Sequence, residues 1–509
     1  MYVNYLKTRA VLIAILALTF FSWPTFGTEF PRKQRPPNIL LILIDDLRPA
    51  LGAYGDGTVK SPNIDRLAEN GIRFDKAYSN QAVCAPSRFN LLLGSRSSSS
   101  GIYGFGQNFR DYYPDAVTLP QYFKQQGYHT ESMGKVFHIG HNTYADEASW
   151  SVPHHKDLVI EYVDPESKKG GLTREEALFS NRQAKGLPRG LAWESPDVED
   201  SAYADGRTAR RAVERLHELK QKSNQPFFLA VGFARPHLPF SVPKKYWDLY
   251  DEDALPLPKR TTRPVGAPSF AVKYGTEIDQ YIPVPEEVTE APFSDSLARK
   301  LIHGYYASVS YVDAQIGKVL DELVATGLDE NTIVVLWGDH GYLLGEMGMW
   351  TKHVNYELAN HIPLIISAPG ITTPGTHTTQ LTETVDLFPK LVELAGLTLP
   401  QVSQPIDGIS LVPVLADSNA RIRDHAYHCF PRGGYLGRAI RTDRYRLVEW
   451  RKMGEQSAPP QFELYDYQDG PLEVKNIANE QPEIRRSLEA ILARHPDPAP
   501  SRPQSPPRE

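Results

Sequence analysis

The sequence predicts an α/β fold in which a mostly parallel sheet is flanked by helices, followed by a smaller C-terminal α+β domain. Continuous apolar runs at residues 38–44, 227–233 and 332–337 are typical of strands that are buried on both faces. Amphipathic helical patterns separate these runs, and strands that alternate with helices usually pair in parallel. From about residue 426 the pattern changes to short β-like runs, which indicates a second domain.

The first 27 residues have the layout of a secretory signal peptide. Lys7 and Arg9 precede an apolar run over residues 10–23, and small residues follow up to Gly27. The run is too short to cross a membrane comfortably. We therefore expect cleavage near Gly27, export to the periplasm or the medium, and a mature chain without a transmembrane segment. An uncleaved anchor is the alternative.

The predicted catalytic domain spans residues 37–420. Its first strand, residues 38–44, ends in two acids. A helix is expected over residues 61–71, where Ser and Pro open it, and another over 118–126, where Gly stops it. Residues 128–133 are expected to lead into a loop.

The second half of this domain repeats the alternation. It has a long helical pattern at 205–222, the strand at 227–233, a second long helix at 296–326 and the strand at 332–337. In open sheets of this kind, ligand sites lie at the carboxyl ends of the strands.

The predicted C-terminal domain spans residues 426–494. It contains β-like runs at 437–450 and 462–467 and a helix near 482–494. The tail, residues 495–509, is rich in Pro and Ser, so we expect it to be disordered.

The charge of the chain excludes one class of partner. Its 509 residues carry a formal net charge of −6, and loss of the two signal-peptide cations would make it −8. A protein that binds nucleic acid needs a basic surface, so nucleic acid is not expected as a partner. A local cluster of cations in a cleft can still attract a polyanion.

Acidic residues follow two of the predicted strands. Asp45 and Asp46 come after the first strand, and Asp339 and His340 come after the strand at 332–337. A lone Asp pair is often only a turn or a helix cap. Two acidic strand ends that meet at one sheet edge predict a site for a hard cation such as Ca²⁺ or Mg²⁺.

Cys84 is the candidate nucleophile. It opens the segment Cys-Ala-Pro-Ser-Arg, which looks like the first turn of a helix, with Arg88 close by. A Cys at a helix N-terminus beside Arg is expected to be acidified and reactive. The alternatives are a buried inert thiol and a disulfide with Cys429, the second cysteine of the chain.

Three further segments supply cations and proton carriers. They contain Lys135 and His138, His237, and Lys352. Each alone is weak evidence, because such residues are more often solvated or structural. Together with a metal and a nucleophile they match the needs of hydrolysis at a tetrahedral oxyanion ester.

At these residues the chain resembles a known family. Cys-x-Pro-Ser-Arg at 84–88 is the signature by which type I sulfatases are recognised for conversion of Cys to formylglycine. Further segments resemble the iduronate-2-sulfatase branch of that family, at residues 44–49, 81–94, 134–138 and 338–341. Residues 463–466 and 476–478 are also sulfatase-like, so the resemblance covers about residues 37 to 480.

The resemblance implies an alkaline-phosphatase-like fold, one Ca²⁺ ion and a formylglycine made from Cys84. A formylglycine-generating or anaerobic sulfatase-maturating enzyme would act on the chain during maturation. The implied Ca²⁺ ligands are Asp45, Asp46, the modified Cys84, Asp339 and His340. Many sulfatases have Asn where His340 stands, which supports the subgroup and leaves the metal's identity open.

The resemblance also implies a role for each remaining residue. One hydroxyl of the hydrated formylglycine would attack sulfur, and His138 would deprotonate the other so that sulfate is expelled. His237 would protonate the leaving sugar oxygen. Lys135 and Lys352 would hold sulfate oxygens, and Arg88 would stabilise the hydrate.

The implied activity is hydrolysis of sulfate esters on a sulfated carbohydrate. Iduronate 2-sulfate and algal polysaccharides such as ulvan are both consistent with the motifs. The alternatives are a phosphomonoester or phosphonate hydrolase of the same superfamily, a catalytically silent sugar-binding protein, and a redox protein that uses its two cysteines.

Overall fold

A computed structural model of the chain describes residues 35–222, 224–455 and 457–506. The predicted signal peptide, residues 1–27, lies outside the described residues. The fold reported below belongs to the compact unit that begins at Pro36. In the part of the chain that the structure describes, no helix is both long enough and apolar enough to cross a membrane.

The described residues form eighteen strands and twelve α-helices, joined in several places by short 3-10 turns. The strands are β1 (Asn38–Ile44), β2 (Ile72–Phe74), β3 (Ala77–Tyr78), β4 (His129–Gly134), β5 (Gly190–Leu191), β6 (Trp193–Glu194), β7 (Phe227–Phe233), β8 (Phe240–Ser241), β9 (Tyr281–Ile282), β10 (Thr332–Gly338), β11 (His361–Ile362), β12 (Leu364–Ser367), β13 (Thr376–Thr378), β14 (Thr382–Glu383), β15 (Ala426–Arg432), β16 (Tyr435–Arg441), β17 (Tyr445–Lys452) and β18 (Gln461–Asp466). The helices are α1 (Pro62–Glu69), α2 (Cys84–Leu93), α3 (Ser97–Ser100), α4 (Leu119–Gln125), α5 (Arg174–Phe179), α6 (Ala204–Gln221), α7 (Lys244–Trp247), α8 (Asp295–Ala325), α9 (Glu357–Asn360), α10 (Leu387–Leu394), α11 (Val412–Ala416) and α12 (Pro482–Leu492).

The central sheet has seven strands in the order β13-β2-β12-β10-β1-β7-β4. Four of its pairings are parallel, including both pairings of β1, while β12 runs antiparallel to both of its neighbours. The prediction of a mostly parallel sheet is therefore confirmed. The carboxyl ends of the three parallel strands β10, β1 and β7 therefore lie at the same edge of the sheet.

Alternate residues of β1 face two separate hydrophobic cores. Leu40, Ile42 and Ile44 pack in the core that includes α6 and α8, whereas Ile39 and Leu41 pack in the core that includes α2, α4 and α10. Every residue from 39 to 44 has no exposed surface. A strand covered on both faces has no polar side, which explains the continuous apolar run in the sequence.

Most predicted elements lie within one or two residues of the predicted bounds, and one strand, β4, was not assigned. β1 and β7 match the predictions residue for residue, and α6 and α8 agree within one residue at each end. Residues 128–133, which were expected to lead into a loop and were assigned no element, contain most of β4, the strand at one edge of the sheet. β4 contains His129, Thr130, Glu131 and Ser132, so this edge strand has no apolar run to reveal it.

The C-terminal region contains a four-stranded antiparallel sheet in the order β15-β16-β17-β18. The predicted run at 437–450 falls on β16 and β17, which form a hairpin. Helix α12 packs on this sheet through Leu488 and Leu492. A division of the chain near residues 420–426 into two domains stays a prediction.

The tail differs from the expectation of disorder over the residues that the structure describes. Residues 495–506 form no helix or strand, but their backbone is hydrogen-bonded to the loop at 98–106. The N–H groups of the tail donate to carbonyl oxygens of that loop, from Ala499 to Ser98 at 2.7 Å, from Arg502 to Gly101 at 2.8 Å and from Ser505 to Gly106 at 2.7 Å. These three hydrogen bonds hold the tail against residues at the end of α3 and in the loop after it, although the tail has no core of its own.

Candidate active site

The register of the central sheet brings the two acidic strand ends together. Ile44 pairs with Gly338, so Asp45 and Asp46 emerge beside Asp339 and His340. The backbone N–H of Asp46 donates to Asp339 Oδ1 at 3.0 Å. Asp46 has a φ of 59°, in the left-handed region, where Asp is tolerated better than most residues. All four residues are buried.

Cys84 is the first residue of α2 and lies against these acids. Its Sγ is 3.3 Å from His340 Nε2 and 4.0 Å from Asp46 Oδ1. One ligand atom from each of Asp45, Asp46, Cys84 and His340 lies within 4.8 Å of the others. Four of the five predicted metal ligands therefore form one buried cluster.

Asp339, the fifth predicted ligand, adjoins that cluster, with its Oδ1 at 3.6 Å from His340 Nε2. Its Oδ1 accepts the N–H groups of Asp46 and His340, and its Oδ2 accepts Arg88 Nε at 3.1 Å. Burial, together with the nearby charge of Asp45, raises the pKa of the Asp339 carboxyl well above its ordinary value. Asp339 thus organises the strand ends in this structure.

The expectation of an acidified thiol is wrong for the unmodified chain. Burial is the largest cause, and with the carboxylate of Asp45 it raises the pKa of the Cys84 thiol well above its ordinary value. Lys352 and Lys135 act in the opposite direction but do not outweigh these effects. Both Cys84 and Cys429 are free and buried in the structure.

Arg88 is fully buried and bridges two acids. Its Nη2 is 3.2 Å from Asp45 Oδ1 and 3.0 Å from Asp339 Oδ2. Its Nη1 donates to the carbonyl oxygens of Lys135 and Val136. The family resemblance implies that Arg88 stabilises the hydrate of the modified Cys84. In the structure its guanidinium contacts acids and backbone carbonyl oxygens.

Two glycines let Lys135 approach the sheet closely. Gly134 has a φ of 67°, and a Cβ atom there would lie 2.0 Å from the carbonyl oxygen of Gly232. A Cβ atom on Gly232 would lie 2.1 Å from the carbonyl oxygen of Lys135. Only glycine fits at such contacts, and the close approach aims Lys135 into the site.

The two lysines bind the acids of the cluster. Lys135 Nζ contacts Asp45 Oδ2, and Lys352 Nζ lies 2.9 Å from both carboxylate oxygens of Asp46. Burial alone would raise the pKa of the Asp45 carboxyl, but Lys135, His237 and Arg88 outweigh it and hold that pKa well below its ordinary value.

His237 also lies close to the carboxylate of Asp45. Its Nδ1 is 2.6 Å from the carbonyl oxygen of Leu238, which can only accept, so Nδ1 carries a hydrogen. Its Nε2 is 2.7 Å from Glu277 Oε1 and 3.9 Å from Asp45 Oδ2. Both partners of Nε2 are carboxylates, so this nitrogen also faces acceptors.

His138 is fully buried, but no hydrogen bond joins it to Cys84 in the structure. Its Nε2 is 3.1 Å from His141 Nδ1, and its Nδ1 has no hydrogen-bond partner among the described residues. Burial, followed by the charges of Lys135 and His141, lowers the pKa of His138 well below its ordinary value. A neutral imidazole of this kind can accept a proton.

A cavity of about 280 Å³ opens onto Cys84. Two predicted residues besides Cys84 line it, His237 and Lys352. Its other lining residues are Phe105, His141, Glu175, Leu178, Phe179, Thr276, Glu277, Gln280 and His353. The cavity therefore combines a floor of charged groups with aromatic walls, which suits a polar ligand that carries a ring.

Sequence reasoning missed Glu277, Glu175 and His141. Glu277 and Glu175 lie in stretches without a strand-end pattern or a motif, so no local signal marks them. His141 is three residues after His138, and that spacing of two histidines was the one available signal. Burial raises the pKa of Glu175 to about 8, with a further contribution from Glu277.

Comparison with known proteins places these residues in a family context. The sulfatase family model matches residues 37–397, and a model of the C-terminal part of N-sulphoglucosamine sulphohydrolase matches residues 345–495. Mouse iduronate 2-sulfatase is 37% identical over 393 residues, covering 71% of this chain and 69% of its own length. A sulfatase of Formosa agariphila is 30% identical and covers 96% of this chain and 92% of its own. An ulvan-active sulfatase of the same organism is 29% identical over 85% of this chain and 76% of its own.

Solved structures have the same fold. A protein in complex with its substrate D-glucosamine-2-N,6-O-disulfate has a TM-score of 0.70 and 22% identity, covering 90% of this chain and 97% of its own. A phosphonate monoester hydrolase from Silicibacter pomeroyi has a TM-score of 0.69 and 24% identity, covering 90% and 95%. At these identities the likeness establishes the fold alone.

Proposed function

The chain belongs to the sulfatase family and is a sulfuric ester hydrolase, and we propose that it removes sulfate from the sugars of a sulfated polysaccharide or oligosaccharide. One observation carries the proposal. Cys84 lies at the floor of a cavity beside Lys352 and His237, with the acid cluster directly behind it. An iduronate 2-sulfatase and an ulvan-active sulfatase among the relatives support a sulfated sugar as substrate.

The donor set at the strand ends fits a divalent cation. Carboxylate oxygens of Asp45 and Asp46 are ligands that Ca²⁺ prefers, and His340 and residue 84 complete the cluster. We propose Asp339 as a further ligand. A bound Ca²⁺ would supply positive charge that polarises the sulfate group. In this structure Lys135 and Lys352 bind the carboxylates of Asp45 and Asp46. When a metal ion binds those carboxylates instead, each ammonium would turn toward the substrate.

Cys84 fits the position of a modified nucleophile. It is buried, begins a helix and lines the cavity. Conversion to formylglycine would supply a hydrated aldehyde that attacks sulfur and later releases sulfate. We propose that a formylglycine-generating or anaerobic sulfatase-maturating enzyme performs the conversion, and that the signal peptide at residues 1–27 exports the chain to the periplasm or the medium.

The remaining residues act on the substrate and its protons. Lys352 and Lys135 would bind terminal sulfate oxygens, where negative charge is concentrated. His237 would give the proton of Nε2 to the leaving sugar oxygen as the S–O bond breaks. His138, held neutral by its buried site, would take the proton that is lost at residue 84. The Arg88 guanidinium would continue to bridge the carboxylates of Asp45 and Asp339 while these steps occur.

The alternative activities predict different substrates or chemistry. A phosphomonoester or phosphonate hydrolase would turn over aryl phosphate or phosphonate faster than aryl sulfate. A silent sugar-binding protein would lack a catalytic residue, yet Cys84, Arg88, His138, His237 and Lys352 are all present. A redox protein would keep a thiol or a disulfide at residue 84.

Activity and mass measurements on one preparation test the proposal. Protein made with a maturating enzyme is expected to release sulfate from at least one member of a panel of defined sulfated oligosaccharides, and its peptide containing residue 84 is expected to carry an aldehyde or its hydrate. Cys84→Ala is expected to abolish release, whereas Cys429→Ala serves as the matched control and keeps it. An unmodified Cys84 in an active enzyme, or full activity in Cys84→Ala, would falsify the mechanism.

A further inference from the structure

Glu277 contacts two donors that line the cavity, His237 and Lys352. Its Oε1 lies 2.7 Å from His237 Nε2, and its Oε2 lies 2.6 Å from Lys352 Nζ. Burial alone would raise the pKa of the Glu277 carboxyl, but His237 and Lys352 outweigh it and hold the pKa well below its ordinary value. One carboxylate therefore bridges the imidazole and the ammonium.

The backbone around Glu277 is anchored on both sides. Thr276 Oγ1 is 3.1 Å from Thr351 Oγ1, and Trp350 N–H donates to the Tyr274 carbonyl oxygen at 2.8 Å. Ile278 directly after Glu277 is fully buried. A carboxylate on such a support has little freedom to move, so it can impose a direction on flexible partners.

Lys352 and His237 each need a fixed contact of this kind to hold one direction. Lys352 has a long flexible side chain, and apart from Glu277 its Nζ contacts only the carboxylate of Asp46 among the contacts that the structure gives. The His237 ring packs edge-on against Phe179 at 5.5 Å and is held at Nδ1 by the Leu238 carbonyl, so Nε2 is the second point at which a polar contact can fix the ring. Glu277 supplies that second point.

We propose that Glu277 is a positioning residue that holds the His237 ring and the Lys352 ammonium at the cavity, so that the hydrogen on His237 Nε2 can pass from its contact with Glu277 to the bridging oxygen of the sulfate ester and Lys352 Nζ can reach a terminal oxygen. The inference rests on the proposed function. As the S–O bond breaks, its electron pair stays on the sugar oxygen, which takes the proton from Nε2. Glu277 touches neither sulfur nor the sugar oxygen and acts through its two partners.

A change of leaving group separates this role from a structural one. A sugar alkoxide needs a proton to leave, whereas 4-nitrophenolate does not. We expect Glu277→Gln to lower kcat on a sugar sulfate by about tenfold to a hundredfold, which is part of the roughly 10²- to 10⁴-fold that a general acid contributes, and kcat on 4-nitrophenyl sulfate by less than about threefold. KM for both substrates should rise together, because Lys352 is shared.

A double variant tests the coupling. In a His237→Ala background, Glu277→Gln is expected to cause no further loss of kcat on the sugar sulfate, because the group that it orients is gone. Glu175→Gln is the matched control. It removes the other carboxyl of the same cavity, which does not touch His237 or Lys352, so the ratio of the two kcat values should not change.

Different results overturn the positioning role of Glu277 and the proposed function of the protein. Equal loss of kcat on both substrates, no loss on the sugar sulfate, or additive effects in the double variant would overturn the positioning role while leaving the proposed function intact. If the wild-type protein cleaves neither sulfate, the proposed function is wrong and this inference falls with it. If thermal unfolding shows that Glu277→Gln is unfolded, Glu277→Asp replaces it. Its shorter side chain should produce a partial kcat loss confined to the sugar sulfate, and a loss on both substrates would again overturn the role.

Discussion

At the scale of single residues, the site consists of buried acidic and basic side chains that form ion pairs. Three carboxylates, Asp45, Asp46 and Asp339, face three cations, which are Arg88, Lys135 and Lys352. Buried charges are costly unless they are paired. Lys135 and Lys352, to which the family resemblance assigned sulfate oxygens, therefore also stabilise the acids of the site when no metal ion is bound.

Lys390 is a buried charge without such a partner. It lies on α10 with no exposed surface, and its Nζ has no hydrogen-bond partner among the described residues. Nζ sits 4.2 Å from the centre of the Phe74 ring. Burial lowers the pKa of Lys390 from its ordinary value of 10.5 to about 7, against the opposing charge of Asp386.

The lowered pKa of Lys390 predicts a pH dependence of stability. Between about pH 7 and 10.5 the unfolded chain binds the proton and the folded chain does not, so this residue makes stability rise with pH over that range. Below pH 7 the cost of burying the charge is fully present. We expect Lys390→Met to be more stable than wild type at pH 6, by an amount on the order of a few kcal/mol, and to lose the rise.

Urea unfolding of both proteins at pH 6, 7, 8 and 9 measures the Lys390 effect. The difference in unfolding free energy between variant and wild type isolates this residue from other titrating groups. A difference that stays constant across the pH series would contradict the prediction.

At the scale of elements, the C-terminal tail supports loops that line the cavity. Ser505 N–H donates to the Gly106 carbonyl oxygen at 2.7 Å, and Asn142 Nδ2 donates to the Ser505 carbonyl oxygen at 2.9 Å. The neighbours of these contact points, Phe105 and His141, line the cavity. The tail thus contacts the loops whose residues line the cavity from the far end of the chain.

Deletion of residues 496–509 is expected to loosen those loops without unfolding the protein. The tail contributes few apolar groups to any core, so the melting temperature should fall little. KM for a sulfated oligosaccharide should rise several-fold, because Phe105 and His141 lose their support. Steady-state kinetics and hydrogen exchange of the loop at 98–108 check this, and unchanged KM together with unchanged exchange would rule it out.

At the scale of the whole molecule, a buried ionic cluster joins the C-terminal sheet to the central part of the fold. Glu357 on α9 accepts Arg441 Nε of β16 at 2.9 Å and Arg446 Nη2 of β17 at 2.7 Å. Glu473 accepts Arg446 Nη1 at 3.0 Å. All four side chains are buried, so the loss of any one leaves uncompensated charge in the interior.

Glu357→Gln is expected to destabilise the protein by about 3–5 kcal/mol, because two buried guanidinium groups lose a shared carboxylate. Asp466→Asn is the matched control. It breaks the exposed ion pair with Arg444, which water screens, so the loss of stability should be much smaller than for Glu357→Gln. Guanidinium unfolding of the two variants gives the comparison. Similar losses in both would show that the buried cluster does not hold the sheet in place.

The sequence alone was enough for three central strands of the sheet, the strand-end acids and the candidate nucleophile. β1, β7 and β10 are readable because burial on both faces leaves an uninterrupted apolar run. Asp45 and Asp339 follow from the rule that sites lie at strand ends. Cys84 is marked by its own motif. Each of these signals is local, since it lies within a few residues of the feature that it predicts.

Only the tertiary structure decided how these residues are partnered. Glu277 meets His237 and Lys352 across long stretches of chain, and the tail meets the loop at 98–106 from about 400 residues away in sequence. The pKa of the Cys84 thiol rises instead of falling because burial and neighbouring carboxylates outweigh the local motif. Burial and the distance between charges depend on how the whole chain packs, and no periodicity or spacing in the sequence encodes them.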